Sequence, residues 1–80
     1  MKKILRFTAS WCSPCKVLAK NLELAETNIP IEVVDIDVFP EVALDYQVRS
    51  VPTLVMVENA KEIKRMVGVQ PVQHIEAWAK

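Results

Sequence analysis

Two thiols three residues apart, in Ser10-Trp11-Cys12-Ser13-Pro14-Cys15-Lys16, are the side chains of this sequence best suited to chemistry. They fall where a strand-like run gives way to a helical pattern, and in a βαβ setting a Cys-x-x-Cys reads as a redox dithiol. On a first helical turn two such thiols can close a small disulfide, and the positive end of the helix stabilises whichever sulfur is ionised. Cys12 is then the nucleophile and Cys15 the thiol that resolves its mixed disulfide. The rival chemistry is a zinc or iron-sulfur half-site, but only His74 could join the two cysteines from this chain, so four ligands are lacking. A metal could be held only between two chains, and no metal site is expected.

The elements that must position the dithiol follow from local patterns. Ile4 to Thr8 reads as the first strand. Pro14 suits the N1 position of the next helix, where a missing N–H is no loss, and Ser13 suits its N-cap. Leu18, Leu22 and Ala25 form the apolar stripe of that helix, which should stop near Asn28, a residue suited to a left-handed C-cap, before Ile29-Pro30. Ile31 to Ile36 is rich in β-branched residues with Val33 and Val34 adjacent, a pattern expected of a strand covered on both faces.

Pro40 to Tyr46 reads as a short helix. Val51 to Val57 and Glu62 to Val67 read as strands joined by Glu58-Asn59-Ala60-Lys61, a connection short enough for a hairpin. Beyond Gly68 and Pro71 the apolar residues Val72, Ile75 and Ala79 mark a closing helix, with Trp78 beside them. The order β-α-β-α-β-β-α predicts an α/β fold with a four-stranded mixed sheet and helices on both faces.

Eighty residues suffice for one domain, 1–80, with a single compact core. Lys plus Arg and Asp plus Glu number ten each, a neutrality that argues against nucleic-acid and membrane partners. Arg6 interrupts any apolar leader after Met1-Lys2-Lys3, so export is not expected and a reducing, cytoplasmic setting is. There a cysteine pair is catalytic or metal-binding more often than structural, and this pair closes too short a loop to stabilise much.

Trp11-Cys12-Ser13-Pro14-Cys15-Lys16 closely resembles the Trp-Cys-Gly-Pro-Cys-Lys active site of the thioredoxin family, with Ser13 in place of glycine. Val51-Pro52-Thr53 is similar to the family's Ile-Pro-Thr segment, whose proline is cis and lies beside the dithiol. Arg49, Tyr46 and Gly68 also stand at thioredoxin-like positions. The resemblance covers nearly the whole chain, which starts at the active-site strand and looks like a glutaredoxin-sized version of the family.

The resemblance implies a thioredoxin fold and a protein-disulfide reductase that needs no dissociable cofactor. Its expected partners are protein disulfides, such as that of a ribonucleotide reductase, and a thioredoxin-reductase-like electron donor, with the chain itself a monomer. Trp11, Val51, Pro52 and Gly68 would form the substrate rim, while Ser13, Pro14, Lys16 and Arg6 would support the dithiol. A glutathione-dependent glutaredoxin is the alternative enzyme, but a Pro-Tyr between the cysteines and a Gly-Gly after the last strand are both absent. A binding module or processivity subunit is the alternative from another class; it has no need of Cys12, Pro14, Cys15 and Pro52 together.

Three departures from the family pattern bear on the chemistry. The aspartate that thioredoxins bury on the strand before the first cysteine corresponds to Arg6, which removes the usual proton acceptor. The proline that kinks the active-site helix corresponds to Lys20, and the hairpin glycine to Ala60. Asp35 and Asp37, at the end of the second strand, read as capping or solvated residues without a role in the chemistry.

Overall fold

A computed structural model describes all 80 residues. Its elements are β1 (Lys2–Thr8), α1 (Ser13–Leu24), β2 (Ile31–Asp35), α2 (Pro40–Asp45), β3 (Thr53–Glu58), β4 (Lys61–Val67) and α3 (Val72–Trp78). The strands form one sheet in the order β2-β1-β3-β4. β1 pairs parallel with β2 and antiparallel with β3, and β3 pairs antiparallel with β4. This is the four-stranded mixed sheet that the element order predicted, and the thioredoxin fold that the resemblance implies.

Alternation along β1 sorts its side chains onto the two faces of the sheet. Ile4 joins Leu54 and Met56 of β3 beneath Leu18 and Leu22 of α1, Ile75 of α3 and Ala79 at the C-cap of α3. Leu5 and Phe7 turn to the opposite face, with Val34, Val55 and Val57 against Ala43 of α2. β1 and β3 are therefore buried on both sides, which anchors the loop that leaves β1 carrying the cysteines.

β2 does not have the two-sided cover its composition suggests. It is the edge of the sheet, with Val34 buried but Ile31 and Val33 exposed. The helices lie over the central strands, so β-branched content reports strand propensity here without reporting burial.

α1 also differs from expectation at both ends. Its N-cap is Cys12, with Ser13 and Pro14 the first two helical residues. The helix stops at Leu24, because Ala25 turns extended (φ −74°, ψ 137°), and Asn28 is not its cap. Side chains explain the early stop: Glu76 Oε2 on α3 accepts the Glu26 N–H at 2.6 Å, and Thr27 Oγ1 accepts that of Ile29 at 3.3 Å. These acceptors replace the carbonyls that another helical turn would have supplied.

The β3–β4 connection is a two-residue hairpin, with Glu58 opposite Lys61 and positive φ at Asn59 (53°) and Ala60 (68°). Both central residues need that conformation if the turn is to match the twist of the strands.

Candidate active site

Cys12 and Cys15 are joined by a disulfide, their Cα atoms 5.3 Å apart. They cluster with Ala9 at the end of β1, under Ile36 and Val51. Cys12 is 4 % exposed and Cys15 1 %, so a reactant approaching from solvent meets Cys12 first.

Cys12 caps α1 with its own sulfur. The backbone N–H of Cys15, the third helical residue, donates to Cys12 Sγ at 3.2 Å. The sulfur thus occupies the place where Ser, Thr or Asp oxygens usually cap. A negative charge there meets both a directed N–H and the positive end of the helix. Pro14 brings no N–H, so the Cys15 N–H is the backbone donor the sulfur receives. The proposed capping role of Ser13 is corrected accordingly: it is an exposed helical residue.

The Ser50–Thr53 segment brings a second backbone group to the sulfur. Cys12 Sγ lies 3.9 Å from the carbonyl oxygen of Val51, and the Val51–Pro52 peptide bond is cis, as the resemblance implies. A protonated thiol can donate to that carbonyl, whereas a disulfide sulfur has no proton to give. Two bonds brace the segment: Thr53 Oγ1 donates to Ser50 O at 2.8 Å, and Gly68 N–H donates to Pro52 O at 2.9 Å. Gly68 adopts φ 88°, a conformation that only glycine takes readily, so its presence at the end of β4 has a backbone reason.

A further brace ties this rim to the helix. Asn21 Nδ2 on α1 donates to Gln70 O at 2.9 Å, and Gln70 Nε2 donates to Val67 O at 3.0 Å. The loop after β4 is thereby held against the element that carries Cys15.

Trp11 is 68 % exposed, and its indole Nε1 donates to Asp37 Oδ2 at 2.9 Å. Asp37 had no expected role, and nothing in its local sequence indicates one. Its function becomes visible only when the end of β2 is laid beside the end of β1, where Ile36 N–H donates to Thr8 O at 2.9 Å.

Arg6 shares a sheet face with Ile4 and Leu54 and is half-buried. It belongs to neither of the protein's two ion pairs, Lys3–Glu32 and Arg65–Glu62. Burial without a counter-ion pushes its guanidinium below the usual arginine range. No carboxylate pairs with it in the structure. Lys16 is exposed beside the disulfide, and His74, exposed on α3, is not brought to the cysteines. No group of three or more His, Cys, Asp and Glu residues is arranged to hold a metal ion.

Comparison with known proteins agrees with this geometry. The thioredoxin family profile matches residues 1–80. The chain is 41 % identical over 70 residues to a thioredoxin of Chlamydia trachomatis, covering 84 % of this chain and 69 % of that protein. It is 33 % identical over 81 residues to the mitochondrial thioredoxin of Bos taurus, covering 96 % of this chain but 49 % of the other. A solved structure of the N21Q mutant thioredoxin from Halobacterium salinarum superposes with a TM-score of 0.89 at 29 % identity, over 98 % of this chain and 71 % of that one. The chain thus spans between about half and just over two thirds of the length of these relatives.

Proposed function

The chain belongs to the thioredoxin family, and on that premise we propose that it reduces protein disulfides with the Cys12/Cys15 dithiol. The observation that carries this reading is the Cys12 sulfur at the N-cap of α1, within 3.2 Å of the Cys15 N–H, because that environment favours the thiolate that disulfide exchange requires.

In the reduced protein the Cys12 thiolate attacks one sulfur of a substrate disulfide. The substrate S–S bond breaks, a mixed disulfide to Cys12 forms, and the first substrate thiolate leaves and takes a proton from water. Cys15 then loses its proton to water and attacks Cys12 Sγ, closing Cys12–Cys15 and releasing the second substrate thiolate. Two electrons pass from the dithiol to the substrate. Cys15 outcompetes thiols in solution because it is held beside the bond it must break.

Trp11, Val51, Pro52 and Gly68 form the docking rim in this reading. The Val51 backbone can pair with an extended substrate segment in the manner of an added strand, which allows many disulfides to bind with little sequence reading. Pro14, Lys16 and Arg6 support the dithiol in this reading. Residues 1–80 act as one cytoplasmic domain and as a monomer, with electrons returned by a thioredoxin-reductase-like donor and a ribonucleotide reductase among the candidate targets. No helix is long and apolar enough to cross a membrane.

Reduction of insulin disulfides tests the reading. Cys12→Ser should abolish turnover, and Cys15→Ser should trap a mixed disulfide that a reducing gel releases. Turnover that survives Cys12→Ser overturns the mechanism. Rates measured with a thioredoxin reductase and with glutathione separate the two donors.

A further inference from the structure

The turn after β2 presents two apolar side chains to solvent. Val38 is 63 % exposed and Phe39 48 %. Both follow Asp37, whose carboxylate holds the Trp11 indole at 2.9 Å, and Trp11 is covalently next to Cys12. The hydrogen bond thus ties the turn that carries Val38 and Phe39 to the exposed ring next to Cys12.

The turn is rigid. The carbonyl of Asp35 accepts the N–H groups of both Val38 (3.1 Å) and Phe39 (2.8 Å), and Asp35 Oδ1 accepts the N–H of Asp37 at 2.9 Å. Phe39 is also the N-cap of α2, yet it makes no side-chain cap bond. A cap position that usually carries Ser, Thr, Asp or Asn holds an exposed aromatic ring, so local helix stability does not explain it. Core packing does not explain it either, since neither side chain belongs to a buried cluster. Apolar groups held rigidly next to a reactive centre bind a partner with little loss of conformational freedom.

From this we infer that Val38 and Phe39 are specificity-determining residues, which extend the docking surface past Trp11 and select substrates carrying apolar or aromatic residues within a few positions of the reacting cysteine. The occupant is a segment of the substrate polypeptide, because the turn is bonded through Asp37 to the residue next to the sulfur that the substrate must reach. This inference rests on the disulfide-reductase reading above.

Two synthetic peptides test it, each with one cysteine in disulfide linkage to a small thiol, one flanked by Leu and Phe and the other by Ser and Asn. Each rate is divided by the same protein's rate with oxidised glutathione. Wild type should favour the apolar peptide tenfold or more, and V38S/F39S should reduce that preference at least threefold. Val38→Gln alone, a change at a solvent-exposed position, should reduce it in the same direction and covers the case in which the double variant folds poorly. An unchanged preference in both variants overturns the inference. So does a wild-type dimer that the double variant dissociates without altering the preference, which would assign the patch to a second copy of the chain. A protein that reacts with none of the three disulfides refutes the reductase reading instead.

Discussion

The indole Nε1 of Trp11 donates to Oδ2 of Asp37 at 2.9 Å, across a separation of 26 residues. One end of the bond is attached to the dithiol and the other to the turn after β2, so it fixes an exposed ring that would otherwise rotate freely.

Asp37→Ala removes the acceptor and releases the ring. The kcat/KM for a protein disulfide should fall about fivefold, the equivalent of about 1 kcal/mol for a hydrogen bond to a charged group at the surface. Faster solvent exchange of the Trp11 indole proton, read by NMR, should accompany the loss. Unchanged exchange would mean that packing holds the ring.

Arg6 is a half-buried cation with no ion-pair partner in the oxidised protein. A thiolate formed on Cys12 in the reduced protein stands six residues on from it in the chain. A cation about 8 Å from a sulfur contributes at most about 2 kcal/mol at an effective dielectric of 20, or about 1.5 pH units before screening. Arg6→Met should therefore move the midpoint of the thiolate absorbance titration of the reduced protein upward by about half a unit. An unmoved midpoint leaves Arg6 as a packing residue.

Ala60 holds φ 68° in the β3–β4 turn, where an L side chain crowds its own backbone. Ala60→Gly relieves that strain but adds freedom to the unfolded chain, for a net stabilisation of about 0.5 to 1 kcal/mol. Thermal unfolding should show a Tm higher by about 4 °C.

Arg65 Nε and Nη2 donate to the Glu62 carboxylate, and Nη2 also donates to the carbonyl of Tyr46, the residue that caps the C-terminus of α2. The hydrogen bond from Arg65 holds the Glu62 carboxyl below its ordinary range. A carboxylate lowered in the folded state adds stability that is present above its unfolded value, about 4.3, and is lost as the pH falls through the lower folded one. With the side chains still 32 % and 31 % exposed, solvent screening limits the pair to about 0.5 kcal/mol. Glu62→Gln should cost about that at pH 7 in urea unfolding, and the difference from wild type should shrink as the pH falls below the unfolded carboxylate value and vanish once it is below the lower folded one.

The chemistry was legible in the sequence because it is encoded locally. A thiol pair three residues apart across a strand-to-helix junction, with a proline between, needs no distant partner to be recognised. The apolar segments Ile4 to Thr8 and Val51 to Val57 likewise read as strands, although their place at the centre of the sheet came from the structure.

What only the tertiary structure decided involves neighbours far apart in the chain. Asp37 acquires its role from Trp11, α1 ends where Glu76 on α3 supplies an acceptor, and β2 is an edge strand despite β-branched residues suited to a covered one. The cap of α1 shows the same limit at short range. Ser13 has the better capping side chain by type, but the chain turns one residue earlier, because the cysteine sulfur can take the Cys15 N–H. Residue type determines which bonds a group can make, and the packing of β1, β2 and the helices determines which partner is within reach.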